Sequence, residues 1–338
     1  MPPETAPPPT GAHITLHDLQ TAVATALPLP GSGRTAERWA HLVKVGRDDL
    51  ALAKLVEPHH DATAILADLG WQPPADGEVW AVWAAEPPGP GLRAEAGPGA
   101  DSWRISGHKP FCSGASIVTH ALVTAHDMRA EGSRLFAVDL RTARDQDGCA
   151  AVEPPTWVGV GMSGADTRTL TCADVQATPV GQPGAYTDRV GFWHGAIGVA
   201  ACWVGGLRGV AARLLATCTR RPPDDVAAMH LGAVAAAVDR CEAVLAMAAT
   251  RVDAGEHETP EAARRDAESV RATVADAVDE VILRVGHALG PGPLALDAEH
   301  AQRVADLQVF VRQHHGESDL SALGRLLSDS ALCGQERW

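Results

Sequence analysis

Residues 103–125 read WRISGHKPFCSGASIVTHALVTA, and the middle of the chain is organised around them. Trp103, Ile105, Lys109 and Phe111 stand against polar neighbours, the period-two signature of a half-buried strand. Val118 to Ala125 is a shorter apolar run that reads as a second strand. Gly107 and Gly114 mark places where a strand bends or another group approaches the backbone closely. Directly after Phe111 come Cys112, Ser113, Gly114 and Ala115. These small side chains leave a flat, hydroxyl-bearing shelf on which a planar ring could rest. Taken alone, the stretch reads as a tight β-corner.

Its flanks change that reading. Upstream, Val79 to Ala85 (VWAVWAA) is strand-like and is closed by Glu86-Pro87-Pro88-Gly89. Downstream, Gly161-Met162-Ser163-Gly164-Ala165-Asp166-Thr167-Arg168 leads into a Thr-rich strand that ends Ala173-Asp174-Val175. This order resembles the middle domain of the acyl-CoA dehydrogenase family. There a "TEP" strand end, a "K-x-W-I-[TS]" strand and a "G-x-x-x-SDTR" strand line the flavin and acyl sites. The resemblance covers most of the chain after about residue 35. It implies a multidomain α+β fold: an N-terminal helical domain, a middle β-barrel or sandwich domain, and a C-terminal antiparallel four-helix bundle.

Composition is compatible with this. A chain of 338 residues, 46% hydrophobic and 21% charged, is long enough for two or three domains with buried cores. A formal charge of −14 argues against a nucleic-acid surface and against anionic membranes. Seven cysteines without a CxxC pair read as reduced thiols. The opening MPPETAPPPTG lacks the features of a signal peptide, and no apolar run is read as a membrane span. A cytoplasmic location is therefore the expectation.

Residues 1–12 are Pro-rich and read as disordered, 13–75 as a short helical domain, 76–180 as the β-domain and 181–338 as the helical bundle. Within the first helical region Ala62 to Leu69 reads as a separate short helix, with His59 and His60 between helices. Paired histidines can bind metal, but no acid or thiol is spaced to join them, so a helix-end role is favoured and no metal site is assigned. Val190–Thr219, Asp224–Asp253, a helix from Pro260 to Gly290, and one or two more from Asp297 to about Leu327 supply the bundle. Gly159-Val160-Gly161-Met162-Ser163-Gly164 fits the dinucleotide pattern G-x-G-x-x-G. That motif needs a following helix to hold a pyrophosphate, and DTRTLTCADV reads as strand.

The resemblance assigns roles residue by residue. Phe111 takes the place of the aromatic beside the flavin ring, and Ser113 that of the hydroxyl near its N5 edge. Ala85 stands where the family has the Thr of "TEP". Gly290-Pro291-Gly292 falls at the turn that holds the adenosine diphosphate part of FAD, often across a subunit interface, with His287 where Gln is common. This implies a homodimer or homotetramer. Arg220 or Arg221 could serve the pyrophosphate, although Pro222-Pro223-Asp224-Asp225 replaces the family's following "FG". The family's catalytic carboxylate falls on His314, counted from Asp306, or on about Gly195; neither is an acid. His314 and His315 share an inward helical face with Val304, Leu307 and Val311, where either could replace the carboxylate or simply bond to Glu317 or Asp319. Glu317 becomes a candidate if the helix breaks at Gly316. The implied activity is FAD-dependent α,β-oxidation of an acyl thioester such as an acyl-CoA, with electrons passed to an acceptor protein. The alternatives are a flavin-dependent monooxygenase and a flavin-free scaffold subunit.

Overall fold

The computed structural model describes residues 14–86, 91–97, 99, 102–129, 132–152 and 155–332. The Pro-rich 1–12 segment lies outside them. Helix α1 (Leu16–Val23) opens on a capping box in which Thr15 and Asp18 satisfy each other's backbone donors. Helix α2 (Thr35–Asp48) is followed by α3 (Leu50–Asp68), which Asp49 caps by accepting from Leu52 N at 2.9 Å. Contrary to the sequence reading, α3 runs unbroken through Pro58, so His59 and His60 lie inside one helix rather than between two. Interior proline costs a helix about 3 kcal/mol. Burial of Leu55, Val56, Ala62, Ile65 and Leu66 around the helix outweighs that cost. His59 Nδ1 accepts from Trp80 N at 3.2 Å, which ties α3 to the sheet.

The β-domain comprises β1 (Trp80–Trp83), β2 (Leu92–Ala96), β3 (Trp103–Cys112), β4 (His120–Asp127), β5 (Ser133–Asp139), a short helix α4 (Leu140–Asp145), β6 (Cys149–Ala151) and β7 (Arg168–Val180). The strand order is β1-β4-β2-β3-β7-β5, and β5 pairs back onto β4, so the sheet curls closed. Strand β3 carries two bulges against β7. At the first, Gly107 adopts φ +125°, and a Cβ there would stand 2.4 Å from the Gly91 carbonyl oxygen. The second corrects the simple alternation. Lys109 points into the protein and is 1% exposed, whereas Phe111, at φ +59°, is turned outward and 60% exposed. Strand β7 also runs beyond Val175, passing Asp174 at φ +53° and continuing to Val180.

The bundle is built from α5 (Val190–Arg220), α6 (Asp225–Asp253), α7 (Pro260–Leu289), the single turn α8 (Gly292–Leu296), α9 (Ala298–Phe310) and α10 (Glu317–Leu332). By length and composition α5 could cross a membrane, which the sequence reading did not anticipate. Two thirds of its most apolar stretch is buried inside the protein, so it serves as the core helix. Helices α2 and α3 pack on it, joining Trp39, Leu42 and Ala53 to Trp203, Leu207, Val274 and Leu307 in one core. Helix α9 ends at Phe310, and a 3₁₀ turn over Val311–Gln313 leads to His314 in an extended conformation. His314 and His315 therefore do not share the helical face assigned to them.

Candidate functional site

A cavity of about 940 Å³ opens where α3, the end of β3, the 161–167 loop, the start of α5, α7 and the turn after α9 meet. One wall is the end of β3 and the corner after it, with Phe111 and Ser113. Ser113 is 6% exposed, and its hydroxyl shares a hydrogen bond with the Thr167 hydroxyl at 3.0 Å. Trp83 Nε1 donates to the Ser113 carbonyl at 3.0 Å, fixing the backbone beneath. The corner is clamped by the "GADTR" segment. Asp166 Oδ2 accepts from Ser116 N at 2.7 Å and from Ser116 Oγ at 2.6 Å, while Oδ1 accepts from Arg168 Nε at 2.6 Å. Gly114 N donates to Ala165 O at 2.9 Å. Asp166 and Arg168 thus hold the scaffold, and Thr167 carries the polar group that reaches the shelf.

Phe111 and Met162 line the cavity, and both have positive φ, +59° each. Non-glycine residues occupy that region at a cost of order 1–3 kcal/mol, and such strain concentrates at functional sites. The side chain of Phe111 is thereby held out over the shelf instead of entering the core.

Below the shelf, Glu86 and Lys109 have structural work. Lys109 Nζ donates to Thr124 O and Thr124 Oγ1, each at 2.8 Å, and lies 3.3 Å from Glu86 Oε1. Burial lowers the Lys109 pKa, and Glu86 opposes that shift. Ala85 lines the cavity beside them without a hydroxyl to offer.

The opposite wall is polar and comes from α7 and the turn after α9. Arg271 donates to Gln313 O at 2.6 Å and to Ala196 O at 3.2 Å, and its guanidinium lies 4.7 Å from the Trp203 ring centroid. It therefore locks the turn against α5. Glu268 sits one turn away, 3.6 Å from Arg264 Nε, and burial followed by the nearby Asp319 raises its pKa. His315 lines the cavity, its backbone N–H donating to Asp319 Oδ2 at 2.9 Å and its Nδ1 lying 3.5 Å from Asp319 Oδ1. A carboxylate on one ring nitrogen orients an imidazole and leaves the other nitrogen for proton transfer.

The sequence-assigned residues divide. Phe111, Ser113, Ala85 and His315 meet at this cavity. His314 turns away from it and is 5% exposed, with its pKa lowered by burial. Glu317 is the first residue of α10 and is exposed, although the chain does break at Gly316 (φ +55°) as its candidacy required; Asp319 lines the cavity instead. Arg220 ends α5, some 40 Å from the cavity end of that helix at about 1.5 Å per residue. His287 pairs edge-on with His230 near the far end of α7, and Gly290 and Gly292 follow that helix. Within one chain these four do not reach the shelf.

Sequence reasoning missed Lys54, Thr167, Glu268 and Arg271. Lys54 interrupts the apolar run LALAKLV, and Glu268 and Arg271 interrupt the Ala/Val face of α7. A charge placed on an apolar helical stripe was the available signal.

No family model and no curated protein matches the chain. Solved structures do. KijD3 in complex with FMN and dTDP-3-amino-2,3,6-trideoxy-4-keto-3-methyl-D-glucose superposes with a TM-score of 0.76 at 18% identity, covering 96% of this chain and 88% of that one. TdsC from Paenibacillus sp. A11-2 with FMN and indole gives 0.73 at 19% identity, covering 86% and 82%. Butyryl-CoA dehydrogenase from Megasphaera elsdenii gives 0.71 at 16% identity, covering 86% and 81%. With a helical N-terminal layer, a closed sheet and a long-helix bundle in that order, the chain has the acyl-CoA dehydrogenase fold.

Proposed function

We propose that this protein is a flavin-dependent oxidoreductase whose cofactor ring rests on the Phe111–Ser113 shelf, and that it works as a monooxygenase. The fit is supported by the residues present: an outward-held aromatic, a paired Ser113–Thr167 hydroxyl set, and a cavity of about 940 Å³. That volume is near the top of the usual range for small-molecule sites, about 300–1,000 Å³, and leaves space for a substrate beside a ring. A bound flavin would supply two-electron exchange with an organic substrate or with oxygen.

The observation that carries the monooxygenase reading is His315, one residue after the position where the resemblance expects a carboxylate base, lining the cavity with its Nδ1 3.5 Å from Asp319 Oδ1, while neither His314 nor Gly195 supplies an acid there. With Nδ1 facing the carboxylate, Nε2 is the ring nitrogen left to exchange a proton with a ligand. Solved structures of the same fold include a dibenzothiophene monooxygenase, TdsC, and complexes of TdsC and KijD3 with FMN. A cofactor held by one chain is FMN-sized; FAD would draw on Arg220, His287, Gly290 and Gly292 of a second copy. The acyl-CoA dehydrogenase reading comes second, supported by the buried carboxyl of Glu268 with its raised pKa.

The test is an absorbance titration of the purified protein with FMN and with FAD, followed by two assays. Reduced FMN, oxygen and an aromatic heterocycle such as indole should give an oxygenated product, lost in His315→Ala. Anaerobic butyryl-CoA should leave the flavin colour unchanged. Bleaching by butyryl-CoA that disappears in Glu268→Gln would put dehydrogenation first. Failure to take up either flavin would leave the scaffold role.

A further inference from the structure

Among the described residues, three cationic side chains of lysine or arginine line the cavity: Lys54, Arg271 and Arg312. Arg271 donates to the Ala196 and Gln313 carbonyls, and Arg312 pairs with Asp279. Lys54 differs. Among the described residues its ammonium has no hydrogen-bond or ion-pair partner, and its one marked contact is the Phe310 ring, 5.3 Å from Nζ to the centroid.

Its position is specific. Lys54 lines the main cavity together with Phe111 and Ser113, and the same three residues line a small cleft behind the shelf with Trp83 and Val118. The ammonium therefore stands where the shelf and the cavity meet. A charge taken out of water without a partner is costly, and a ligand anion removes that cost.

We propose that Lys54 is the anion-binding residue of this cavity, taking the delocalised negative charge of whatever lies on the shelf. Two sources carry that chemistry: a carboxylate on an aromatic substrate, and the reduced cofactor ring. The second source rests on the flavin reading above; the first does not.

The surroundings agree with this. Glu57, one turn along α3, is the carboxyl that pulls the Lys54 pKa up; burial raises its own pKa to about 8, so it is a weak counter-charge, and no ion pair joins the two. Burial lowers the Lys54 pKa, and an anionic ligand would draw the proton back.

The experiment uses the full chain and three variants, Lys54→Met, Lys54→Gln and Lys54→Arg, with circular dichroism to establish folding. Calorimetry measures benzoate and its uncharged analogue benzamide. Spectroelectrochemistry measures the midpoint potential of bound FMN. If the substrate supplies the charge, Lys54→Met weakens benzoate at least tenfold, leaves benzamide unchanged, and Lys54→Arg recovers most of the loss. If the cofactor supplies it, the potential falls by about 30 mV, the equivalent of a tenfold change for two electrons, and Lys54→Arg restores it. Lys54→Gln decides if Lys54→Met does not fold. Unchanged benzoate affinity together with an unchanged potential overturns the proposal, as does a wild-type protein that binds neither benzoate nor flavin. A protein that binds benzoate through Lys54 but takes up no flavin would refute the flavin reading and leave this one standing.

Discussion

Asp61 of α3 lies so close to α5 that a Cβ at Gly195 would stand 2.6 Å from its Oδ1. At the bundle position where the resemblance places an alternative acid, the chain has a glycine, and a carboxylate from another helix takes the space. Burial raises the Asp61 pKa, against the pull of Arg189 and Arg38. Gly195→Ala should force this carboxylate aside and cost about 1 kcal/mol. Gly232→Ala, with nothing within 4 Å, should instead gain up to about 1 kcal/mol of helix propensity. A double-mutant cycle with Asp61→Ala, followed by urea unfolding, should show coupling of at least about 0.5 kcal/mol. Additive losses would refute the contact.

The crossing of α2 and α5 leaves less room. A Cβ at Gly46 would meet the Cys202 carbonyl oxygen at 2.4 Å, and one at Gly205 would meet the Val43 carbonyl oxygen at 2.3 Å. Neither obstacle is a side chain that can rotate away. Gly205→Ala should therefore push the helices apart and cost about 3 kcal/mol, the upper part of the range for overpacked cores. A urea midpoint equal to wild type would show that the crossing is looser than this.

Glu57 makes stability depend on pH. Burial, reinforced by Asp61, raises its pKa from 4.5 to about 8 in the folded protein. The folded state then holds a proton that the unfolded chain has released, so stability falls as pH rises from about 4.5 to about 8. Glu57→Gln should flatten that slope and unfold at a higher temperature than wild type at pH 8. Parallel melting-temperature profiles for the two proteins would contradict the assignment.

Asp266 acts in the opposite direction. Burial pushes its pKa up, but hydrogen bonds from His257 and Arg251, at 3.1 Å and 2.8 Å, outweigh burial and hold it at about 2. Its contribution is present above the usual 3.8 and is lost as pH falls toward 2. Asp266→Asn should be less stable than wild type at pH 6, with the gap narrowing steadily below pH 4. A gap independent of pH would point to packing alone.

Much of the fold was legible because the signals are local. Period-two alternation marked Trp103 to Phe111 as strand, and three- and four-residue spacing marked the long helices, since each pattern needs only its own neighbours. Pro58 shows where local rules fail: the penalty is local, but the burial that overrides it comes from other elements. The same applies to Phe111, whose outward turn depends on a bulge set by pairing with β7.

Local sequence pattern alone set the order of the helical and strand-rich regions, the small residues after Phe111, and a strand in place of a helix after the 159–164 glycines. Tertiary structure decided what faces the shelf. Ser113 meets Thr167 across 54 residues, His315 rather than His314 or Glu317 enters the cavity, and Lys54, Glu268 and Arg271 arrive from two distant helices. Side-chain periodicity says which face of an element is apolar. Which charged residue on that face opens into a shared cavity depends on how the elements cross, and that is settled by close approaches such as Gly46 to Cys202.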